Sequence, residues 1–302
     1  MFIYWPHRKE DTVRSHISDY LSLTKPTIML LVLFTGASAL VIEGSFLTQP
    51  LNFLLVLVGL FLTGGSANAL NQYFEREIDA KMSRTSARRS LPLKKISPTQ
   101  ALVFSISIGV IGVALFAFFF NWLVAGLALA TILFYSLFYT LWLKPNTAQN
   151  IVIGGAAGAM APVGAWAAAT GSMAAFPWIM FAIVFFWTPP HFWALALFCK
   201  DDYVKANLPM MPVVKGDAST LNQMLVYAFI VSAVSLVLVP LGAGWLYGIA
   251  ATVLGVMFIA RCFKARREMS ESSARSLFGY SIVYLFALFL AMVADSLVRV
   301  FL

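Results

Sequence analysis

Nine apolar runs, at 27–42, 51–74, 101–120, 123–143, 151–169, 176–198, 224–241, 245–263 and 277–301, leave this chain few ways to fold. A helix needs ~20 mostly apolar residues to cross the ~30 Å hydrocarbon core of a bilayer. Each run is therefore a predicted membrane-spanning helix, although the first and fifth are short and only Gly242, Ala243 and Gly244 part the seventh from the eighth. Nine helices are expected, with eight and ten as the neighbouring readings. With 60% hydrophobic and only 11% charged residues, an ordinary soluble globule is excluded. The 13 prolines and 19 glycines are no obstacle, because neighbouring helices satisfy the backbone groups they free. The expected fold class is an all-α polytopic membrane bundle, one membrane-embedded domain over 1–302 with 1–24 as a cytoplasmic segment.

The basic residues test this division independently. If the N-terminus and the connections after the second, fourth, sixth and eighth runs face the cytoplasm, they hold 20 of the 21 Lys and Arg residues. The exception is Arg299, close to a C-terminus that should then lie outside. So distributed, the net charge of +8 speaks for a lipid bilayer as partner and against nucleic acid. Both long polar connections, 75–100 and 199–222, fall on the inner side, so chemistry is expected there. Cys199 and Cys262 lack metal-ligand spacing and read as free thiols on a reducing side. The N-terminus resembles neither a secretory signal nor a mitochondrial presequence, and a bacterial inner membrane is the simpler expectation.

The stretch 68–92, NALNQYFEREIDAKMSRTSARRSLP, carries the first site candidates. Asn71, Glu75 and Asp79 recur every four residues, which on a helix gives a drift of ~40° and a rise of ~6 Å per step. An amide and two carboxylates on one stripe offer the hard oxygens that magnesium bound to phosphates needs, and Arg84, Arg88 and Arg89 follow as phosphate donors. The bland alternative is a helix end meeting water, with the basic residues setting topology. Asn71 counts against it, since an unsatisfied amide at that depth costs free energy.

The second stretch, 187–216, reads WTPPHFWALALFCKDDYVKANLPMMPVVKG. Pro189 and Pro190 predict a kink or break in the sixth helix, directly before His191. His191 is read either as a hydrogen-bonded structural residue or as a haem ligand or proton carrier beside a cavity. Asp201 and Asp202, with Lys200 and Tyr203, read either as a solvated helix end or as a second pair of metal-binding carboxylates. Lys25 is an interfacial anchor before a helix-starting Pro26, and Lys144 ends the fourth helix among Tyr135, Tyr139 and Trp142. The small residues around Gly154 and Gly155 read as close packing, and Asp295 needs an unidentified partner.

Together these stretches resemble the UbiA-type intramembrane prenyltransferases, and among them the haem O synthase (protoheme IX farnesyltransferase) branch. The resemblance rests on LTKP at 23–26, NQYFEREIDAKMSRT at 71–85, NIVIGGAAGA at 150–159, and TPPHFWALAL, KDDY and PMMPVV between 188 and 214, in order along nearly the whole chain. It implies a UbiA-like bundle that transfers a farnesyl group from farnesyl diphosphate to the 2-vinyl group of haem B, with water added, giving haem O. It further implies Mg2+ on Asn71, Glu75 and Asp79 with Asp201 and Asp202 as a second set. Arg84, Arg88, Arg89, Lys144 and Lys25 would bind diphosphate, and Tyr73, His191, Trp193 and Tyr203 would contact haem or the prenyl chain. The downstream partners implied are a haem A synthase or terminal oxidase subunits.

The chain departs from the family pattern in two places and differs from quinone-pathway relatives in a third. Glu75 stands for the commoner Asp; RTSARRSLP replaces RTxxRPLP, leaving Arg88 and Arg89 both open; and His191 stands about where quinone-pathway relatives carry Asp, which favours haem over a small aromatic acid. Rival readings are a prenyltransferase with an aromatic or quinone-precursor acceptor, a membrane transporter using a broken sixth helix and Asp295, and a haem-binding assembly factor.

Overall fold

The computed structural model describes residues 17–301. Arg8, Lys9, Arg14 and most of the expected cytoplasmic segment lie outside that range. The described residues contain nine helices long and apolar enough to span a membrane. They are α1 Pro26–Glu43, α2 Pro50–Phe74, α3 Pro98–Phe119, α4 Trp122–Asn146, α5 Asn150–Thr170, α6 Ala175–Phe198, α7 Gly216–Leu236, α8 Trp245–Glu268 and α9 Glu271–Phe301. No strand occurs among the described residues.

Local chemistry sets many of the ends. Pro26, Pro50 and Pro98 occupy the first helical position, where a missing N–H costs nothing. Ser97 and Gln100 form a capping box at α3, and the Asn121 side chain accepts from Val124 N at α4. Gly44 and Gly171 close α1 and α5 with left-handed φ of 92° and 66°.

Two expectations need correction. The seventh helix starts at Gly216 and stops at Leu236, not 224–241. Its first two turns are polar, with Thr220 bonding back to Gly216 O and fully buried, so apolarity alone misplaces the start; Pro240 disfavours helix in the residue before it. The break at Pro189 and Pro190 does not occur: α6 is continuous through both, and both are buried. Packing against α5, α7 and α9 holds the helix where two ladder donors are missing.

The irregular backbone lies elsewhere. Within α4, Phe134–Leu143 is π-helical, and α5 divides at Met160 into Asn150–Ala159 and Ala161–Thr170. Pro162 cannot donate to the carbonyl one turn back, which accounts for the division.

Contacts run α1–α2–α3 and α6–α7–α8–α9, and α1 packs on both α5 and α9 while α5 packs on α6, so the bundle closes on itself. Trp193, Phe116, Phe258, Tyr284 and Phe289 fill its interior, while Ile106, Val110, Phe118, Val256 and Leu290 face outward. Gly154 and Gly155 permit the closest approaches. A Cβ at Gly154 would lie 2.2 Å from the Tyr139 ring on α4, and one at Gly155 would lie 2.9 Å from Thr188 on α6.

Asp295 finds its partners at the start of α8. It accepts from Gly244 N at 2.7 Å and Tyr247 N at 3.3 Å, and pairs with Arg299 at 3.1 Å. It ties α9 to a helix N-terminus, where a negative charge is favourable. Because successive spans alternate in direction, the segment before α1, the connections after α2 and α6, and the end of α4 all meet at the opposite end of the bundle.

Candidate active site

At that end α2 stops at Phe74, and a one-turn helix, Arg76–Asp79, follows. The register survives the interruption, since Glu75 N donates to Asn71 O at 2.9 Å and Asp79 N to Glu75 O at 2.8 Å. Asn71, Glu75 and Asp79 thus stay on one stripe, 1%, 2% and 0% exposed. Three groups buried this deeply need partners, and each has a cation. Lys25 Nζ donates to Asn71 Oδ1 at 2.8 Å, Lys144 Nζ to both Glu75 oxygens at 2.6 and 2.7 Å, and Arg89 to Asp79 Oδ2.

Each cation reaches the stripe for a local reason. Lys25 has a left-handed φ of 53° and turns the chain into α1. Asn68 and Gln72 of α2 hold the carbonyls of Ser22, Leu23 and Thr24, docking this turn over Asn71. Lys144 leaves the π-helical end of α4, where Thr140 also accepts from Asn71 Nδ2 at 3.1 Å. Arg89 follows the short helix Ser83–Ser86, whose Thr85 hydroxyl donates to Asp79 O at 2.6 Å. Arg88, the neighbouring alternative, is exposed.

The charges are unevenly balanced. Burial raises the Glu75 carboxyl pKa, but Lys144 and Lys25 together bring it below its ordinary value. At Asp79 burial prevails over Arg89, and the pKa rises. Burial, with repulsion from Arg89, brings the Lys25 ammonium down to about 7. Asp79 Oδ1 is buried with no partner at all. A hard cation with phosphate oxygens fits this set, since an unpaired carboxylate oxygen, a second carboxylate and an amide oxygen are the donors Mg2+ takes. Among the described residues no group of three or more His, Cys, Asp or Glu side chains is placed to hold a metal ion.

The second stretch reaches the same end differently. Asp202 Oδ1 accepts from Ser83 N at 3.2 Å and Ser83 Oγ at 2.6 Å, and Oδ2 accepts from Arg84 N at 3.1 Å. The Ser83 hydroxyl leads in lowering the Asp202 pKa. Asp202 therefore clasps the two connections together, while Asp201 faces outward. Arg84 lies over the buried Tyr203 ring, 5.9 Å from its centre, and donates to its hydroxyl at 3.4 Å.

The other aromatic candidates are dispersed. His191 is sandwiched between Trp187 and Phe278, with ring centres 4.3 and 4.6 Å away, and its Nδ1 bonds Ser281 Oγ at 2.7 Å. Trp193 is fully buried with its edge to Tyr227 of α7, and its Nε1 lacks a partner. Tyr73 is not brought to the stripe. Two residues from both Asn71 and Glu75, it points to another helix face, where it lies beneath Arg76 and packs against the small apolar cluster that contains Leu23, Leu91 and Ile96. Asn68, Gln72, Ser83 and Thr140 were not singled out from the sequence. Asn68 shares the four-residue spacing loosely; for the others no sequence signal marks the role.

The UbiA prenyltransferase family model matches residues 30–293. The protoheme IX farnesyltransferase of Gloeobacter violaceus is 48% identical over 285 residues, 93% of this chain and 92% of that protein. The enzyme of the same name from Microcystis aeruginosa is 45% identical over 293 residues, covering 96% and 92%. A solved digeranylgeranylglyceryl phosphate synthase superimposes with a TM-score of 0.77 at 19% identity, over 93% of this chain and 99% of that one. A UbiA homologue from Archaeoglobus fulgidus, solved with GPP and Mg2+, gives 0.59 at 16% identity, over 91% and 99%. The low identities make these two evidence of fold alone, but the curated relatives and the family match show the family: this chain belongs to the UbiA prenyltransferase family and is a membrane prenyltransferase.

Proposed function

We propose that the chain transfers a farnesyl group from farnesyl diphosphate to the 2-vinyl group of haem B, with addition of water, to give haem O. The observation that carries the reading is the buried stripe of Asn71, Glu75 and Asp79, each facing its own cation at one end of the bundle. The names of the relatives supply the donor and acceptor, farnesyl and protoheme IX. The charge distribution supports a cytoplasmic location for this end, in a bacterial inner membrane.

Asn71, Glu75 and Asp79 would hold Mg2+, which supplies neutralising charge to a departing diphosphate. Lys25, Lys144 and Arg89 are already gathered within reach of the same position, and Arg84 lies on the adjoining connection. As the allylic C–O bond breaks, these cations stabilise charge growing on the leaving oxygen. The vinyl terminal carbon bonds farnesyl C1, and water adds to the porphyrin-side carbon and loses a proton. His191, with Nδ1 committed to Ser281, offers Nε2 for contact with haem or for that proton. Asp202, whose oxygens accept from Ser83 and from Arg84 N, holds the two connections together beside the stripe.

The test is to incubate purified protein in detergent with haem B, farnesyl diphosphate and Mg2+, following pigment mass and diphosphate release. The expected result is a mass gain of farnesyl plus water that chelator abolishes. Diphosphate release with an aromatic acid, and none with haem, would overturn the acceptor assignment.

A further inference from the structure

Asn71 can serve a metal and diphosphate in only one of its two amide orientations. Its side chain carries an acceptor on one side and two donors on the other, and a cation is served only by the oxygen. In the structure the oxygen faces Lys25, a group that can only donate. Lys25 alone makes a poor guide, because it is itself a diphosphate candidate whose hold on Asn71 ends when it turns to the substrate. The donor side must then be fixed by something else.

That partner is Thr140. Elsewhere in the bundle, hydroxyls such as those of Thr63, Thr131 and Ser235 bond the carbonyl four residues back. In the π-helical stretch Thr140 Oγ1 instead donates to Tyr135 O, five residues back, at 2.7 Å. A hydroxyl has one proton, so this bond leaves the Thr140 oxygen only as an acceptor. Asn71 Nδ2 fills it at 3.1 Å, in a place where Asn71 and Thr140 are 1% and 5% exposed and water does not compete. The local π-helix therefore fixes the polarity of a hydroxyl, the hydroxyl fixes the amide, and the amide oxygen is left on the side of Lys25. π-Helical insertions are frequent at functional sites.

We propose that Thr140 is a positioning residue for the transfer reaction, holding the Asn71 amide so that Oδ1 faces the metal–diphosphate. The inference rests on the reading of Asn71 as a ligand given above. Outer partners that orient ligands affect metal affinity as strongly as some ligands do.

The test uses Mn2+ as the probe, with free Mn2+ followed by electron paramagnetic resonance, on purified protein in detergent with the unreactive farnesyl thiodiphosphate. Thr140→Val, which keeps the shape and removes the hydroxyl, is expected to weaken Mn2+ binding by roughly 10- to 100-fold, and Thr140→Ser to restore it to within about twofold. In an Asn71→Asp background, where oxygen faces both ways, Thr140→Val is expected to cost almost nothing, a non-additivity that a merely structural role does not produce. Equal Mn2+ affinity in the wild type and a folded Thr140→Val protein would overturn the proposal, as would an undiminished loss in the Asn71→Asp background. If Thr140→Val does not fold, Thr140→Ser and Thr140→Cys replace it as the pair, and failure of the weakly accepting Cys to lower affinity overturns the proposal. Absence of Mn2+ binding by the wild type would instead sink the metal reading of the stripe itself, and this inference with it.

Discussion

At the scale of single residues, the stripe and its candidate cations could be named from the sequence, but which cation meets which stripe residue could not. Four-residue spacing is a local property of a helix, so Asn71, Glu75 and Asp79 fall on one face wherever the helix lies. Lys25 lies 46 positions from Asn71, and Lys144 lies 69 from Glu75. Only packing brings such pairs together, and each lysine alone was indistinguishable from an interfacial anchor. The two later arginines separate in the same way. Arg89 turns inward to the fully buried Asp79 and Arg88 turns out. Arg89→Gln is expected to raise KM for farnesyl diphosphate at least about tenfold, because it removes a phosphate donor and strands a buried carboxylate, while Arg88→Gln should stay within about twofold. Steady-state kinetics on the two variants checks this, and the reverse ranking would exchange their roles.

At the scale of elements, helix starts were legible where a proline or cap residue dictated them, as at Pro26, Pro50, Pro98 and Ser97. The tandem prolines of α6 misled, because propensity measured in isolation is overridden where buried neighbours hold the backbone. Conversely, nothing in Phe134–Leu143 advertises a π-helix, a backbone choice made by the fit of α4 against α2 and α5. The small residues of α5 were read correctly as packing, and the contact they serve is specific. Gly154 makes room for the Tyr139 ring in that π-helical stretch. Gly154→Ala is expected to destabilise the protein by ~1–3 kcal/mol through overpacking, seen as a lower midpoint of thermal unfolding in detergent. An unchanged midpoint would show that the ring moves aside freely.

At the scale of the whole molecule, charge predicts an orientation: N-terminus and stripe inside, C-terminus outside. A reporter active only outside the cytoplasmic membrane should work when fused at residue 302 and fail when placed in the 199–215 connection. The opposite pattern would invert the protein and remove its proposed access to cytoplasmic farnesyl diphosphate. The transporter reading loses its two supports here, since α6 is unbroken and Asp295 caps α8. The clasp of Asp202 on Ser83 and Arg84, 119 and 118 positions away, instead holds the two long connections together. By itself the sequence determined that the chain is a helical membrane bundle with nine expected spans, that its long polar connections share one end, and which residues share a helical face. Those properties follow from transfer free energy, alternation of direction and helical period, all of which act within a segment or between neighbours in the chain. Only the tertiary structure decided which cation meets which acid, which arginine turns inward and which way a buried amide points. Those outcomes depend on groups far apart in the chain that must satisfy one another once water is gone.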